Sequence, residues 1–215
     1  MAEMSWETVD PHIRRTRLLL QQALGKLLES KDFDKISVQD IAEAATVNRA
    51  TFYDHYTDKF ALLECMVGTR FGELLAARGV EFNGGCSSAL GGMVLGVCDY
   101  LAAAPGMECE RQLQMEPHLE AAVIAVVRRM LLQGLEKHPP AEGLSPAMLA
   151  TTLSWAIYGA AKEAVRTPDR RPTEEIVETI MRLIGPMFAA AHTEPSPVTS
   201  PPASSKSPSP QAPSA

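Results

Sequence analysis

Residues 37–63 read SVQDIAEAATVNRATFYDHYTDKFALL, and this stretch decides the fold. Ser37 and Asn48 are residue types that favour helix N-caps, and they lie only eleven positions apart. The first cap therefore opens a helix of about two turns, which has to end within residues 45–47 before the next helix begins. Asp40, three residues after Ser37, is predicted to be the acidic partner in a capping box.

The helix that follows the second cap divides into an inner and an outer face. Val47, Phe52 and Tyr56 are predicted to pack inward, while Arg49 and Thr51 are predicted to face outward. A short helix that packs across another and exposes hydrogen-bonding side chains near its N-terminus is the arrangement of a helix-turn-helix. The free N–H groups and positive dipole at such an N-terminus are suited to phosphate.

The chain outside this stretch also reads as helical, as far as about Ala191. Apolar residues at helical spacing predict a first helix over residues 14–30 and a fourth helix, capped by Asp58, that runs to Ala77. Later helix starts are expected at Ser87–Ser88, at Pro117 in an N1-like position, at Ser145–Pro146 and at Thr173, with a kink at Gly185–Pro186. Because the sequence shows no alternating strand pattern and no hairpin signal, we predict an all-α fold of about nine helices.

Composition constrains the partner only weakly. The 215 residues are 46% hydrophobic, which is enough for one or two domains with buried cores. No apolar run reaches 18 residues and the N-terminus is acidic, which predicts a cytoplasmic protein without a membrane partner. The net charge is −6, but residues 14–60 hold eight bases and seven acids, so the acidity lies outside this segment. A local charge of +1 is too weak to indicate nucleic-acid binding by itself.

The cysteines and the missing motifs argue against a catalytic or metal site. Cys65, Cys86, Cys98 and Cys109 do not lie at the spacing of a zinc site and are expected to be free thiols, with a thiol sensor or metal site as the open alternative. The motifs of metalloproteases, serine hydrolases, phosphate-binding loops and dinucleotide-binding folds do not occur. We therefore expect no catalytic residues, no cofactor and no metal.

Residues 37–63, together with DPHIRRTR at 10–17, closely resemble the DNA-binding domain of the TetR family of repressors. The resemblance covers roughly residues 10–64 and rests on the Ile41–Ala42 pair, Tyr53, His55 followed by Tyr56, and Lys59. Members of that family often have glycine where this chain has Asp32 and Thr46. The turn at Thr46 is therefore the place where the orientation of the recognition helix could differ.

The resemblance implies which side chains touch DNA. Arg49 and Thr51 are implied to meet base edges, with Asn48 near them. An arginine can form a bidentate pair with guanine, which contributes about 1–3 kcal/mol of discrimination. The residues expected to contact the phosphate backbone or a flanking groove are Ser37, Tyr53, His55, Lys59, Arg14 and Arg15.

The resemblance also implies a division of the chain. Residues 1–12 are expected to form an N-terminal tail, 13–58 the helix-turn-helix DNA-binding domain, and 59–191 a helical ligand-binding and dimerisation domain. Residues 192–215 are rich in proline and serine and are predicted to be disordered, because they offer almost no apolar surface to bury.

The last two long helices are implied to form a homodimer interface. Small residues in one and an apolar stripe in the other agree with this. The predicted interface residues are Ala156, Gly159, Ala160, Ile176, Ile180, Leu183, Ile184 and Met187. A core within one protomer would need the same stripe, so that alternative stays open.

The middle helices are implied to hold a small-molecule effector. Soft, aromatic and weakly polar residues that could line its pocket are Met93, Cys98, Tyr100, Met107, Met115, Trp155 and Tyr158. Core packing is the alternative for each of them. Asp99, His118 and Arg128 could orient a polar group of the ligand, or simply be solvated.

Taken together, the sequence predicts a sequence-specific DNA-binding transcriptional regulator. It is expected to act as a repressor that a small molecule releases from a palindromic double-stranded operator. Two other classes remain open, an all-α enzyme and a helical adaptor that does not bind DNA. The adaptor is favoured by the near-neutral domain and by Asp54 and Asp58, which lie close to the predicted interface.

Overall fold

The computed structural model describes residues 10–79, 87–103, 110–167 and 171–191. These residues form eight α-helices and one 3₁₀ turn, and no strand occurs among them. The elements are α1 (Pro11–Leu28), the 3₁₀ turn (Phe33–Lys35), α2 (Val38–Ala44), α3 (Arg49–His55), α4 (Lys59–Ala77), α5 (Ser87–Ala103), α6 (Glu110–Lys137), α7 (Pro146–Arg166) and α8 (Thr173–Ala190). The all-α prediction is confirmed, with eight described helices in place of about nine. Met107, Cys86, Cys109 and the predicted tails at 1–9 and 192–215 lie outside the described residues.

Helix α1 begins three residues before its predicted start at Arg14. Asp10 Oδ1 accepts a hydrogen bond from the backbone N–H of His12 at 2.8 Å. Pro11 occupies the first turn, where its missing N–H removes no helical hydrogen bond. The Asp-Pro pair is therefore a start signal that apolar periodicity does not show.

The capping box at the start of α2 forms as predicted. Ser37 Oγ accepts from the backbone N–H of Asp40 at 3.1 Å, and Asp40 Oδ2 accepts from the backbone N–H of Ser37 at 2.7 Å. Lys31 Nζ lies 2.8 Å from the same carboxylate oxygen. The hydrogen bond from Lys31, followed by those from Ser37, holds the pKa of Asp40 well below its usual value. Helix α2 is thus tied to the segment that follows α1.

The inner face predicted for the helix-turn-helix is confirmed. Phe52 is fully buried, Tyr56 is buried, and Val47 packs beside them from a half-buried position. They belong to one apolar cluster with Leu24 of α1 and Ile41 of α2. Helix α3 is therefore fixed by packing on one side and is exposed on the other.

Helix α4 joins the helix-turn-helix to the helical domain. It packs against α1 at one end and against α5 and α6 along its length, while α5 lies against α7 and α8, and α6 against α7. Large side chains that are fully buried there include Phe71, Met93, Leu135, Leu153 and Ile157. The apolar core runs without a break from one part into the other. None of the described helices is long and apolar enough to cross a membrane.

The prediction that Pro117 opens a helix is wrong. Helix α6 begins at Glu110, so Pro117 lies inside it, and Pro186 likewise lies inside α8. Both prolines are exposed, and each removes one backbone N–H donor from its helix. The helical assignment continues through both positions.

The turn between α2 and α3 carries backbone strain at Thr46. Its φ is 57°, and it is the one non-glycine residue with positive φ among the residues described. The N–H of Thr46 donates to Glu43 at 3.0 Å and the N–H of Val47 donates to Ala42 at 2.9 Å, which is the Schellman pattern that normally has glycine at the Thr46 position. The turn keeps the usual hydrogen bonds although a β-branched residue occupies its left-handed position.

Helices α4 and α5 approach closely at Gly96. A Cβ at this position would lie 2.8 Å from Leu75 Cδ2 and 2.8 Å from Phe71 Cζ, both side-chain atoms of α4. Such a distance is shorter than packed carbon atoms tolerate. The crossing of α4 and α5 therefore requires glycine here.

Replacing Thr46 with glycine is expected to stabilise the chain by about 1 kcal/mol, because the left-handed conformation is strained for threonine. Ala44→Gly is the control, since residue 44 lies in the last turn of α2 and glycine there should destabilise by about 0.5–1 kcal/mol. Urea unfolding at unchanged m-value measures both free energies of unfolding. Destabilisation by both glycines would contradict the strain at Thr46.

The variant Gly96→Ala is expected to lower the free energy of unfolding by about 1–3 kcal/mol, because α5 has to move away from α4. Gly91→Ala, in the same helix with no atom within 4 Å of the added Cβ, is expected to raise it by up to about 1 kcal/mol. Thermal unfolding followed by circular dichroism compares the two. Two variants of equal stability would show that Gly96 is not a packing requirement.

Candidate nucleic-acid interface and the adjoining cavity

Arg49 and Tyr53 form the outer face of α3, one helical turn apart. Arg49 Nη2 donates to Tyr53 Oη at 3.1 Å, and the guanidinium carbon lies 5.5 Å from the centroid of the Tyr53 ring. The Tyr53 ring stands edge-on against the buried Phe52 ring, with centroids 5.5 Å apart, yet the residue is 47% exposed. Arg49 is therefore held in one orientation and keeps further N–H donors for a partner outside the protein.

Asn48 and Thr51 are joined to each other at the start of α3. Asn48 Oδ1 accepts from the backbone N–H of Thr51 at 2.7 Å and from Thr51 Oγ1 at 3.0 Å. This confirms Asn48 as the N-cap and leaves its amide with two N–H donors. Thr51 is half-buried, and with its hydroxyl proton directed to Asn48 it offers its methyl group and lone pairs. Of the two, Asn48 presents the more accessible donors.

Lys59 has a different role from the predicted phosphate contact. Its Nζ donates to the carbonyl oxygens of Phe33 at 2.8 Å, Asp34 at 3.1 Å and Ile36 at 2.9 Å. An ammonium group has three N–H donors, so all of them are used within the protein. The half-buried Lys59 therefore fastens the first residue of α4 to the 3₁₀ turn, and we correct its assignment accordingly. The family resemblance identified the position but did not indicate these partners.

The remaining backbone-contact candidates lie on three different elements. Arg14 and Arg15 are exposed near the start of α1, and His55 is half-buried in the last turn of α3. Ser37 is exposed, but its hydroxyl donates to Asp40 Oδ2 at 2.8 Å. Their contacts with DNA remain predictions.

An aromatic cluster connects the 3₁₀ turn to the helical domain. The Phe33 ring lies 5.3 Å from the Phe60 ring and 4.8 Å from the His118 ring, measured between centroids. His118 Nε2 lies 3.0 Å from Asp34 Oδ1, and Lys59 Nζ lies 4.7 Å from the Phe33 ring centroid. The cluster draws on the 3₁₀ turn, α4 and α6. Sequence reasoning missed it because its members are distant in the chain.

A cavity of about 430 Å³ opens beside this cluster, between α1, the 3₁₀ turn, α4, α5 and α6. Its wall is mostly apolar, with polar groups supplied by two cations and one phenol. The lining residues are Leu28, Lys31, Phe33, Leu63, Met66, Val67, Arg70, Tyr100, Met115 and Leu119. The helix-turn-helix segment and the helical domain therefore share one cavity.

The structure brings only part of the predicted ligand pocket together. Tyr100 and Met115 line the cavity, as expected of pocket residues. Met93 and Cys98 are instead buried in the apolar core, and Trp155 is 55% exposed on the outside of α7, so these three assignments are corrected. Residue type identified side chains that suit a pocket, but it could not show what covers each of them.

Tyr158 is likewise not a pocket residue, because it lies buried beside ion pairs that join α6 to α7. Lys162 Nζ is 2.9 Å from Glu116 Oε1 and 2.6 Å from Glu120 Oε2. Burial raises the pKa of Tyr158 to about 12, and the hydrogen bonds that Lys162 donates to Glu120 and Glu116 raise the pKa of Lys162. This network fixes α7 against α6.

The three polar ligand-orienting candidates all have partners within the protein. Asp99 Oδ1 accepts from Arg78 Nη2 at 2.8 Å, and Arg128 Nε donates to Thr151 Oγ1 at 2.9 Å. His118 pairs with Asp34, as described above. None of them therefore points to a polar ligand group.

The residues of the predicted dimer face differ in exposure, although Ile176 and Ile180 line the groove between α7 and α8, and the interface itself stays a prediction. Ile176, Ile180 and Ile184 are buried in the core of their own protomer, where α8 packs against α5 and α7. Leu183, in contrast, is 69% exposed, and Gly159 is exposed on α7. Helical periodicity identifies the apolar side of a helix. Helix α8 carries large apolar residues both on its buried side and at the exposed Leu183, so periodicity did not separate the two.

The outer side of α7 and α8 presents an apolar surface. Ala156, Ala160 and Met187 are half-buried there, and Trp155 projects beside them. A shallow groove of about 360 Å³ runs between the two helices. The exposed members of the predicted interface thus lie on one side of the protomer.

The described cysteines do not form a metal site. Cys65 is half-buried, and its Sγ accepts from Gln21 Nε2 at 3.3 Å and from Tyr56 Oη at 3.4 Å. Cys98 is buried. Across the described ranges, no three His, Cys, Asp or Glu side chains come together to hold a metal ion.

Comparison with known proteins gives the N-terminal segment a family. Residues 20–66 match the family model of the bacterial regulatory proteins of the tetR family. A segment of 68 residues is 40% identical to the uncharacterized HTH-type transcriptional regulator YxbF of Bacillus subtilis (strain 168), covering 31% of this chain and 18% of that protein. The chain thus spans less than a fifth of that relative.

Among solved structures, a TetR-family regulator from Streptomyces coelicolor A3 resembles nearly the whole described fold. The two share 16% sequence identity, and the match covers 84% of this chain and 98% of that one, with a TM-score of 0.58. At this identity the likeness concerns the fold.

Proposed function

We propose that the chain, whose residues 20–66 match the family model of the bacterial regulatory proteins of the tetR family, is a sequence-specific DNA-binding transcriptional regulator. The observation that carries this proposal is the Arg49–Tyr53 pair on the exposed face of α3. A guanidinium oriented by an aromatic ring loses little freedom on binding, and its remaining N–H groups match the O6 and N7 acceptors of guanine. Arg49 is thus the base-reading residue, with Asn48 beside it.

The charge distribution explains how a chain of net charge −6 would bind DNA. Arg14 and Arg15 are exposed on α1, whereas Asp54 is exposed on α3. The electrostatic potential over the DNA-binding domain is weak. The affinity for DNA therefore has to come from a few side chains positioned to contact phosphates. Asp54 repels phosphates that do not lie in the correct register. A domain of this kind depends on specific contacts more than on general attraction.

Two copies are required for the operator-binding mode proposed here. The exposed Trp155, Gly159 and Leu183 offer an apolar face through which α7 and α8 of one protomer pack on those of another. In a two-fold dimer, the two α3 helices would enter successive major grooves, about 34 Å apart on one side of a near-palindromic operator.

Repression with release by a small molecule is the regulatory mode we propose. An effector bound in the helical domain favours an arrangement in which the two α3 helices no longer match the groove spacing. Such coupling typically reduces affinity by about 1–3 kcal/mol. The continuous core through α4 supports transmission from one part to the other.

The variant Arg49→Ala is expected to lose about 5–150-fold in affinity for an operator selected from random DNA by the purified chain, because one base-reading pair is removed. Affinity for non-specific DNA should change little. Tyr53→Phe, which removes the oxygen that accepts from Arg49, is expected to lose less. Gel-shift titration with both DNAs measures the ratio of operator affinity to non-specific affinity for each variant.

Arg15→Ala is the matched control, because a phosphate contact acts on all sequences alike. It should weaken binding to the operator and to non-specific DNA equally. It should also reduce the slope of log affinity against log salt concentration by about 1. An Arg49→Ala variant with unchanged discrimination would exclude the base-reading assignment. A wild-type chain that selects no DNA would favour the helical adaptor instead.

Leu183→Glu is expected to convert the dimer into a monomer, because it places a charge at the centre of the exposed apolar face. Sedimentation equilibrium measures the change in mass. Leu18→Glu is the control, since Leu18 is a similarly exposed leucine, 54% accessible, on α1. A dimer that survives Leu183→Glu would place the interface elsewhere.

A further inference from the structure

The cavity beside the aromatic cluster is lined by residues from both parts of the chain. Leu28, Lys31 and Phe33 come from the end of α1 and the 3₁₀ turn, and the other lining residues come from α4, α5 and α6. Its volume of about 430 Å³ lies in the range of sites for small organic molecules. A molecule bound there would touch the segment that connects α1 to α2.

The lining combines apolar walls with positive charge. Lys31 and Arg70 are its two charged residues, and no carboxylate is among the lining residues. Lys31 donates to Asp40 and Arg70 donates to Glu73, each through one nitrogen. Both cations therefore keep further N–H donors for a ligand.

Arg70 and Tyr100 supply two of the polar groups that line the cavity. Burial raises the pKa of the Tyr100 phenol, and the positive charge of Arg70 opposes that shift. Tyr100 thus remains a neutral hydroxyl donor at ordinary pH. Met66 and Met115, at the apolar walls, can adapt to ligands of different shape.

We propose that this cavity is the effector site and that it takes an amphipathic anion, with an apolar body and one carboxylate, sulfonate or phosphate group. The proposal rests on the regulatory function proposed above. Arg70, Lys31 and Tyr100 bind the anionic group, and the apolar body lies against Phe33, Met66 and Leu119. Charge and shape both select this class over a cation or a sugar.

Lys31 gives such a ligand a route to the DNA-binding helices. The ammonium of Lys31 is bound to Asp40, and Asp40 closes the capping box of α2. An anion in the cavity competes for Lys31 and so weakens this tie. The ligand also presses on Phe33, whose backbone oxygen is held by Lys59. Both effects change how α2 and α3 are held against α4.

Two matched fluorescent probes test the site. The anion 1-anilinonaphthalene-8-sulfonate and the neutral N-phenyl-1-naphthylamine have the same aromatic body and differ in the sulfonate. The full chain is expected to bind the anionic probe. Arg70→Gln is expected to reduce the affinity for the anionic probe about 10-fold and to change the affinity for the neutral probe little. Arg182→Gln, at an exposed arginine of α8 outside the cavity, should change neither.

A second variant tests the place of binding. Met66→Trp fills the cavity and is expected to weaken the binding of both probes. The melting temperature of this variant shows whether the chain is folded. Equal binding of the anion to wild type, Arg70→Gln and folded Met66→Trp would overturn the proposal. So would a failure of the wild-type chain to bind the anion, or loss of binding in Leu183→Glu alone, which would place the probe on the α7–α8 face.

The fluorescence measurement contains no DNA, so it decides the site even if the proposed DNA binding fails. In a separate gel shift, the anionic probe is expected to release the selected operator from wild type but not from Met66→Trp. Probe binding without release would retain the ligand class but overturn the effector role. No operator binding at all would overturn the proposed function and leave the fluorescence result to stand by itself.

Discussion

The ammonium of Lys59 is the point on which the arrangement of the two parts depends. Its three N–H donors meet three carbonyl oxygens of the 3₁₀ turn and the residue after it, Phe33, Asp34 and Ile36. The turn itself supplies the Phe33 carbonyl with a hydrogen bond from the backbone N–H of Ile36 at 3.1 Å. The hydrogen bonds from Lys59 come from a charged donor and contribute about 1.5–3 kcal/mol each. The first residue of α4 therefore holds the turn between α1 and α2 in place. The start of α2, which follows this turn, is thereby held near the start of α4.

The same 3₁₀ turn contacts the helical domain through the ring of Phe33. Phe33 contacts His118 of α6 and lines the cavity beside the aromatic cluster, while its carbonyl accepts a hydrogen bond from Lys59. In the proposed regulation, a displacement of α6 would act on the turn through Phe33. Lys31, two residues before the turn, is joined to α2 by its ion pair with Asp40. Packed elements with few alternative arrangements transmit such shifts as discrete changes.

Local signals in the sequence predicted local structure well, and contacts between distant segments poorly. Ser37 and Asn48 act as caps as predicted, because an N-cap depends only on residues within three positions. Lys59 was assigned to phosphate by resemblance, since nothing nearby in the chain shows that it reaches carbonyls more than twenty residues away. Ile176 and Ile180 were correctly predicted to lie on an apolar stripe of their helix. Periodicity alone, however, does not distinguish a stripe that packs in the protomer's own core from one that packs against a partner.

The departure from glycine at Thr46 bears on stability more than on recognition. A turn that could not accommodate threonine would have lost the hydrogen bonds from Thr46 and Val47 and tilted α3, yet both bonds are present. The chain instead keeps the geometry and accepts a residue with φ of 57°. Phe52, fully buried one turn into α3, explains why: moving α3 to relieve the strain would expose an aromatic side chain, which costs more than the strain. The orientation of Arg49 is thus set by core packing behind the helix, and the turn in front conforms to it.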